Sequence, residues 1–498
     1  MSARASGILL HPTCLPGPFG IGDLGPAAYR FADLLAETGQ QYWQVLPVSP
    51  TDADHGHSPY HAHCAYAGDP LWISPQLLVK DGWLADADLA GAPDFPADRV
   101  AFARVRAFKR ALLEKAFARF EARRDKSAVV RFARQSPWLL RFALFRVLTD
   151  RYGRPWTDWP PLLRGRRPAA LRAAQRQHAS ALRREIFHQY LFFRQWHALK
   201  RYCNRRGVRI IGDMPIYLPF HSAEVWAHPQ LYKLDAAGRP SVVSGVPPDY
   251  FSRTGQLWGH PVYDWDAHAK TGFRWWIRRT RHNLALFDRL RVDHFRGWVA
   301  CWEVPAEAKT AAAGQWRPVP GEALLDALER RLAPLAIIAE DLGTITAEVR
   351  ETMARHELPG MRVLQFAFGD DFPHGAFLPH NHVRRSVVYT GTHDNNTVRG
   401  WYASEAGEDG RERLRRYLGR APDPGGVHWE LIRLAMASVA DTAVIPLQDL
   451  LGLGAEARMN RPAHSEGNWR WRAPADPLPG AAAARLAEMT RVYGRAPR

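Results

Sequence analysis

Eight short runs of β-forming, mostly apolar residues recur along the 498 residues of the chain, and most of them end at a polar side chain. Strands that are apolar on both faces are typical of a parallel sheet covered by helices on both sides. Helical patterns at 27–38, 185–206, 273–287 and 322–332 precede four of these runs. The sequence therefore predicts an α/β fold, a (β/α)8 TIM barrel with large, mainly helical insertions. The eight predicted strands are 7–11, 41–48, 208–217, 288–295, 335–342, 361–368, 386–394 and 442–450.

The length of the chain requires insertions, because a minimal barrel of this type uses roughly 250 residues. We predict that residues 1–67 form the first part of the catalytic barrel and 191–498 the rest of it. Residues 68–190 are predicted to form an inserted helical subdomain, with one helix over 102–120 and another over 129–148, from apolar spacings of three and four. An aromatic loop is expected over about 226–266 and a helical insertion over about 398–440.

Acidic residues stand at the carboxyl ends of four predicted strands, which is where barrel enzymes place their catalytic groups. They are Asp213, Asp293, Glu340 with its neighbour Asp341, and Asp394. Any one of them could instead cap a helix or pair with an arginine. Four carboxylates converging on one rim are costly to desolvate, and this favours an active site over a structural role.

The local spacing predicts different protonation states for two of these carboxyls, Asp293 and Glu340. Side chains alternate along a strand, so Arg291 and Asp293 lie on one face, where the cation favours the ionised form expected of a nucleophile. Glu340 shares its face with Ile338, which favours the protonated form of a proton donor. Such a pair cleaves glycosidic bonds, with about 5 to 5.5 Å between the carboxyls in retaining enzymes.

Eight motifs resemble a known family in order along residues 7–472. They are SGILLHPTCLPGPFGIGDLG, WQVLPVSP, SPY, GDMPIY, RVDHFRG, IAEDLG, TGTHDNNT and MNRPAHSEGNW. Together they are similar to the 4-alpha-glucanotransferases, also called amylomaltases or disproportionating enzymes, of the alpha-amylase clan. The resemblance implies retaining transfer of an alpha-1,4-glucan segment to the 4-hydroxyl of an acceptor glucose or glucan.

The resemblance also implies a role for individual residues. Asp293 would be the nucleophile that forms a covalent glucosyl intermediate, Glu340 the general acid/base, and Asp394 the stabiliser of the transition state. The predicted substrate-binding residues are Tyr60, Asp213, Gln256, Trp258, Arg291, His294, His393 and Asn460. No cofactor and no metal are expected, and the predicted partners are maltooligosaccharides and alpha-1,4-glucans. An alpha-glucan hydrolase or debranching enzyme would use the same carboxylates, and an inactive glucan-binding protein is a third alternative.

One segment departs from the family pattern. The family's usual PTGYGDSPYQ is replaced here by PTDADHGHSPYHAHC, which carries His55, His57, His61 and His63. Four imidazoles in nine residues invite a metal site, but their position beside SPY favours a polar wall of the sugar site. Downstream, PPDYFSRTGQLWG places Tyr250, Phe251 and Trp258 between turn residues, and we expect them to form an exposed aromatic loop over the barrel mouth.

Composition separates the remaining alternatives. A formal net charge of +17 is compatible with a nucleic-acid partner. The basic residues are scattered along the chain, however, and we expect no nucleic-acid partner. A GxGxxG match at Gly20, Gly22 and Gly25 lacks the strand-to-helix turn of a dinucleotide site. The four cysteines form no disulfide framework, and neither a signal sequence nor a long apolar span is evident. These features predict a cytoplasmic protein that does not bind membranes and is a monomer or weak oligomer.

Overall fold

The computed structural model describes residues 4–248, 253–462, 464 and 466–497. Its strands form an eight-stranded parallel sheet and a separate four-stranded antiparallel sheet. The strands are β1 (Ala5–Leu9), β2 (Tyr42–Gln44), β3 (Arg209–Pro215), β4 (Val242–Val246), β5 (Gln256–Pro261), β6 (Arg289–Asp293), β7 (Ala300–Pro305), β8 (Gln315–Pro318), β9 (Ile337–Ala339), β10 (Gly360–Val363), β11 (Ser386–Tyr389) and β12 (Thr442–Pro446).

The large sheet is the predicted barrel. Its strand order is β10-β11-β12-β1-β2-β3-β6-β9, and every neighbouring pair is parallel. At the seam between β9 and β10, the amide of Ala339 donates to the carbonyl of Pro359 at 2.9 Å, and the Met361 amide donates to Asp341 Oδ1 at 2.6 Å. These contacts bring the two edge strands together, so the sheet is a nearly closed (β/α)8 barrel. Each of the eight predicted runs contains or overlaps one barrel strand.

The predicted strands extend too far at their carboxyl ends. The run predicted over 386–394 forms ladder bonds only as far as Tyr389, and the run over 335–342 only as far as Ala339. Residues beyond these points are polar and leave the ladder to form loops over the barrel rim. Asp394 and Glu340 therefore lie in loops after their strands, whereas Asp213 lies inside β3.

The helices surround the barrel and build the insertion between β2 and β3. Their bounds are Pro26–Glu37, Pro75–Lys80, Asp86–Leu89, Phe102–Ala122, Ser127–Gln135, Leu139–Tyr152, Pro161–Arg164, Pro168–Gln177, Ala179–Arg205, Ala223–Ala227, Trp265–Lys270, Arg274–Leu286, Gly321–Leu332, Ala347–Arg355, Val398–Ser404, Gly407–Leu418, Val427–Ala437, Leu447–Leu450 and Gly480–Val492. The predicted single helix over 129–148 is wrong. It is two helices, because Pro137 disfavours helical backbone at Ser136, whose φ is −118° and ψ is 79°.

The insertion is tied to the barrel by a buried cation. Lys109, in the helix Phe102–Ala122, donates to Asp23 Oδ2 at 3.1 Å and to the carbonyls of Leu71 and Ile73 at 2.7 and 3.1 Å. A buried ammonium needs such complete pairing, since an unpaired one would be strongly destabilising. The contact fixes the insertion helix against segments that precede and follow β2.

The stretch 226–266, predicted as an aromatic loop insertion, contributes to a small antiparallel sheet. It contributes β4 and β5, which pair with β7 and β8 in the order β5-β4-β7-β8. These strands are short and partly exposed, and they lack the continuous apolar runs of the barrel strands. The stretch 398–440 contains three helices. Among the described helices, none combines the length and the apolar character needed to span a bilayer.

Candidate active site

The strands β6 and β9 bring Asp293 and Glu340 to one point on the rim. Val292 pairs with Ala339 in the ladder, and the next residue of each strand is one of the two acids. The Glu340 amide donates to the Val292 carbonyl at 3.1 Å, and the His294 amide donates to Glu340 Oε2 at 2.8 Å. Neighbouring parallel strands of one barrel therefore place the two carboxyls side by side.

A cleft of about 1880 Å³ opens over these acids at the carboxyl end of the barrel. All but one of the predicted site residues line it: Asp293, Glu340, Asp394, Tyr60, Gln256, Trp258, Arg291, His294, His393 and Asn460. These residues come from six places in the fold, namely β5, β6 and the segments after β2, β9, β11 and β12, and they converge on a single open groove.

Asp213 is the exception, and its predicted place in a sugar subsite is corrected. Its side chain is fully buried below the cleft, where Oδ2 accepts from Arg291 Nη1 at 2.7 Å and from the Tyr60 hydroxyl at 2.8 Å. The ladder explains this position, since Asp213 on β3 pairs directly with Arg291 on β6. Asp213 therefore orients two residues that do line the cleft.

Arg291 links the buried Asp213 to the exposed acid. Its side chain is 4% exposed, and its Nη2 lies 2.9 Å from Asp293 Oδ1, as the alternation of β6 predicted. Asp293 itself is 29% exposed toward the cleft. The guanidinium holds the Asp293 carboxylate in one orientation while leaving its other oxygen open to a ligand.

The pKa values of the two acids differ from the predicted contrast. Burial raises the pKa of Asp293, and the charge of Arg291 only partly opposes this effect. Burial also raises the pKa of Glu340, against the charge of Arg291 and against amide donors from Leu342 and His294. A cation on the same strand face is thus outweighed by desolvation, and the pair retains a proton more readily than free carboxyls do.

Asp394 also lines the cleft, but in a different environment. Its side chain is 46% exposed, its Oδ1 accepts from Asn460 Nδ2 at 2.6 Å, and His393 Nε2 lies 3.4 Å from Oδ2. The Arg458 guanidinium donates to its main-chain carbonyl at 2.7 Å. These contacts hold an open carboxylate at the lining of the cleft.

Aromatic side chains form two groups in the lining of the cleft. Tyr60 stacks on His393 at 5.0 Å, and Trp469 lies 5.9 Å from each of these rings. In the second group, Trp258 meets His294 edge to face at 4.7 Å, and its Nε1 lies 3.3 Å from Gln256 Oε1. Tyr250 and Phe251 of the predicted aromatic loop lie outside the described residues.

Trp469 and Arg458 are site residues that the sequence analysis did not identify. Trp469 ends the motif MNRPAHSEGNW, yet its contact with Tyr60 joins residues about 400 positions apart. Only the motif itself could have marked it, because no local spacing predicts such a contact. Arg458 likewise acts through the backbone of Asp394.

The histidines of residues 55–63 do not form one cluster. His55 and His61 line the cleft, whereas His57 stacks on Phe102 at 4.0 Å and His63 pairs with Asp52. The metal-ligand side chains that lie close together in the described part of the chain are Asp326, Glu329 and His356, outside the cleft lining. His356 Nδ1 already pairs with Glu329 at 2.9 Å, which gives this group a structural explanation.

Adjacent carboxyls on the rim of a (β/α)8 barrel, in an open groove walled by aromatic rings, define an enzyme that breaks glycosidic bonds. The comparison with known proteins agrees. The family model for 4-alpha-glucanotransferase matches residues 10–477. The chain belongs to the 4-alpha-glucanotransferase family, glycoside hydrolase family 77, whose members are transglycosylases acting on alpha-1,4-glucans.

Individual relatives span nearly the whole chain. A 4-alpha-glucanotransferase of Thermus thermophilus is 47% identical over 480 residues, covering 94% of each protein. One of Aquifex aeolicus is 46% identical and covers 94% of this chain and 95% of the relative. The solved amylomaltase of Streptococcus agalactiae, in complex with acarbose, is 36% identical with a TM-score of 0.96 and covers 99% of this chain and 100% of that one. The family predicted from the motifs and the barrel predicted from the apolar runs are both confirmed.

Proposed function

We propose that this chain transfers alpha-1,4-glucan segments by a retaining double displacement in which Asp293 is the nucleophile and Glu340 the general acid and base. The observation that carries this assignment is the junction of β6 and β9, where the His294 amide next to Asp293 donates to Glu340 Oε2 at 2.8 Å. Carboxyls on adjacent strand ends suit attack and proton donation at one glycosidic bond better than widely separated ones.

In the first step Glu340 donates its proton to the glycosidic oxygen, and Asp293 attacks the anomeric carbon. The bond from that carbon to the leaving oxygen breaks, and the departing glucan takes the proton as a new 4-hydroxyl. Burial supports this step, since it raises the pKa of Glu340 and keeps a proton available. Arg291 stays beside Asp293 and orients the attacking oxygen.

In the second step the acceptor replaces the leaving glucan. Glu340, now ionised, takes the proton from the acceptor's 4-hydroxyl as that oxygen attacks the anomeric carbon and displaces Asp293. The original proton count and the anomeric configuration are restored. Asp394 is proposed to bind hydroxyls of the donor ring and to stabilise positive charge in both transition states, because its carboxylate is open to the cleft and fixed by Asn460.

For transfer to prevail over hydrolysis, the acceptor hydroxyl must react with the covalent intermediate faster than water does. The Trp258 ring lines the cleft and meets His294, the residue after Asp293, edge to face. We propose that the Trp258 ring holds the acceptor sugar and limits water access, which favours transfer over the hydrolase alternative.

For the location of the protein in the cell, we retain the prediction of a cytoplasmic enzyme. The four buried, unpaired thiols Cys14, Cys64, Cys203 and Cys301 support it.

Incubation of the purified protein with maltotriose tests the proposal. Transfer is expected to yield glucose together with a ladder of longer maltooligosaccharides, separated by chromatography. Glucose and maltose without elongated products would identify a hydrolase and contradict it. Asp293→Asn, run in parallel, shows whether the products arise from this site.

A further inference from the structure

The loop that carries Asp394 is hydrogen-bonded at both of its ends to one buried carboxyl. Asp449 Oδ2 accepts from the hydroxyl of Thr390, the first residue after β11, at 2.5 Å. Asp449 Oδ1 accepts from the amide of Val398, the first residue of the next helix, at 2.7 Å. His393 and Asp394 lie between these two attachment points. A single side chain therefore fixes where the loop begins and where it ends.

Asp449 also belongs to the segment that supplies the other contacts of Asp394. It lies in the short helix Leu447–Leu450 after β12, the barrel strand that pairs with β11. Arg458 and Asn460 follow later in the same segment, and they donate to the main-chain carbonyl and to Oδ1 of Asp394. Asp449 thus joins the loop after β11 to the segment whose side chains bind Asp394.

Hydrogen bonds inside the loop fix its shape between the two ends. Asn395 Oδ1 accepts from the amide and from the hydroxyl of Thr392, each at 2.9 Å. The Thr392 hydroxyl oxygen accepts from the Asp394 amide at 3.3 Å, and the Asn396 carbonyl accepts from Gln365 Nε2 at 2.8 Å. A loop bonded in this way is stiff, so a change at its ends is passed on to Asp394.

Helix capping alone does not explain the burial of Asp449. The residue is 1% exposed, and no cation among the described residues forms an ion pair with it. A buried carboxyl without a cation is costly, whereas a helix end can be capped by a small hydroxyl. Thr397 already caps this helix by accepting from the Gly400 amide at 3.0 Å. The bond to Thr390 is what distinguishes Asp449 from a second cap.

The Asp449 carboxyl can form both bonds in either protonation state. Burial raises the pKa of Asp449 to about 6, against the hydrogen bonds from Thr390 and Val398. A protonated carboxyl still has one accepting oxygen and gains a donating hydroxyl, and a threonine hydroxyl can accept as well as donate. The attachment therefore depends on two hydrogen-bonding atoms more than on charge, and asparagine is the neutral analogue.

We propose that Asp449 is a positioning residue for glucan transfer, which places the Asp394 carboxylate against the donor sugar by holding both ends of its loop. Asp449 does not line the cleft, so it acts through the loop and not on the substrate. The inference rests on the role proposed above for Asp394. Displacing a reacting group by about 1 Å can lower a rate by about 10²-fold, so the loss of these bonds should be measurable.

The test removes the two attachments separately. Thr390→Val is nearly isosteric and removes only the hydroxyl bond. We expect it to lower the kcat of maltotriose disproportionation about ten-fold, with the KM changed by less than about three-fold. Asp449→Ala removes both bonds, and we expect the kcat to fall about 10²-fold. Asp449→Asn keeps an acceptor for Val398 and a donor for Thr390, so its kcat should stay within about three-fold of the unmodified protein.

Thr352→Val is the matched control. The buried Thr352 hydroxyl also donates to a carboxylate, Glu322 Oε1 at 2.8 Å, and neither residue lines the cleft. We expect a similar loss of stability from this variant with an unchanged kcat. Rates are measured well below the Tm of each variant, so that unfolding does not contribute to them. If Asp449→Ala does not fold, Thr390→Val and Asp449→Asn decide the question.

The outcomes separate this inference from the proposal on which it rests. A folded Thr390→Val with a kcat within about two-fold of the unmodified protein would overturn the positioning role. An equal loss in Thr352→Val, or a higher KM with an unchanged kcat, would also overturn it. Asp394→Asn is measured in the same series. Full activity in that variant would contradict the role proposed for Asp394 itself, whatever the result at Asp449.

Discussion

Arg291 and Asp293 form an ion pair across two positions of one strand, with Nη2 and Oδ1 2.9 Å apart. The arginine is buried and the acid faces the cleft, so the pair turns a strand end into a fixed nucleophile. Asp213 completes the arrangement from below by holding the other guanidinium nitrogen. The reactive carboxylate is thus oriented by Arg291, which Asp213 holds in place from beneath the cleft.

Replacing the nucleophile should abolish transfer with little effect on folding. Asp293→Asn keeps the size of the side chain but cannot form the glucosyl ester, and we expect the rate of maltotriose disproportionation to fall by at least about 10³-fold. Initial rates of glucose release measure this. A matched thermal melt should show a nearly unchanged Tm, and activity within ten-fold of the unmodified protein would contradict the assignment.

Glu340→Gln should separate the two steps of the reaction. Without a proton donor, turnover of maltotriose is expected to fall by about 10²-fold to 10⁴-fold. A donor such as maltotriosyl fluoride needs no proton for departure, so its first turnover should still release fluoride in a burst. Stopped-flow fluoride release checks this, and equal losses on both donors would rule out the acid role.

Asp213 should act through position rather than contact. Asp213→Ala leaves the buried Arg291 with one partner instead of two, and we expect it to lower the free energy of unfolding by about 3 kcal/mol. The kcat should fall while the KM for maltotriose changes little, since Asp213 does not line the cleft. A KM effect alone in Asp213→Ala would indicate direct sugar contact.

Tyr60→Phe removes only the hydroxyl bond to Asp213. We expect it to lower the free energy of unfolding, measured by denaturant melts, by about 1 kcal/mol.

The activity should show a bell-shaped pH profile in which both limbs belong to the coupled acids. Protonation of Asp293 removes the nucleophile at low pH, and ionisation of Glu340 removes the proton donor at high pH. Because burial raises both pKa values, the optimum should lie above the value of about 4 typical of free carboxyls.

Arg291 sets the acid limb of that profile. Its charge lowers the pKa of Asp293, so Arg291→Met should move the acid limb to higher pH. Arg291→Lys retains the charge and should move it less, although both variants lose activity. Rates of kcat/KM against pH measure the shift, and an acid limb that stays in place in both variants would contradict the electrostatic account.

The barrel could be predicted because its strands carry a strong local signal. Buried parallel strands such as β11 and β12 are nearly continuous apolar runs, and helix patterns alternate with such strands. The small sheet gave no such signal, since β8 is four residues long and largely exposed. Its two strand pairs, β4 with β5 and β7 with β8, are joined into one sheet by pairing between β4 and β7, which are distant in sequence and which local patterns do not connect.

The sequence predicted which acidic residues form the site, but not how deeply each of them is buried. Strand alternation correctly placed Arg291 beside Asp293. It could not show that Asp213 is buried under the cleft, because that depends on the register of β3 against β6. The pKa of Asp293 likewise follows from three-dimensional burial, and a same-face cation in the sequence was an incomplete guide to it.

The proposed mechanism requires a covalent bond between the glucan and Asp293, and one measurement tests directly for that bond. Glu340→Gln, mixed with maltotriosyl fluoride and quenched in acid, should accumulate a glycosyl-enzyme that protein mass spectrometry detects as a single added maltotriosyl group. After proteolysis, we expect the group on the peptide that carries Asp293 and its absence from the double variant that also carries Asp293→Asn. A stable adduct on any other carboxylate, or fluoride release without an adduct, would contradict the mechanism.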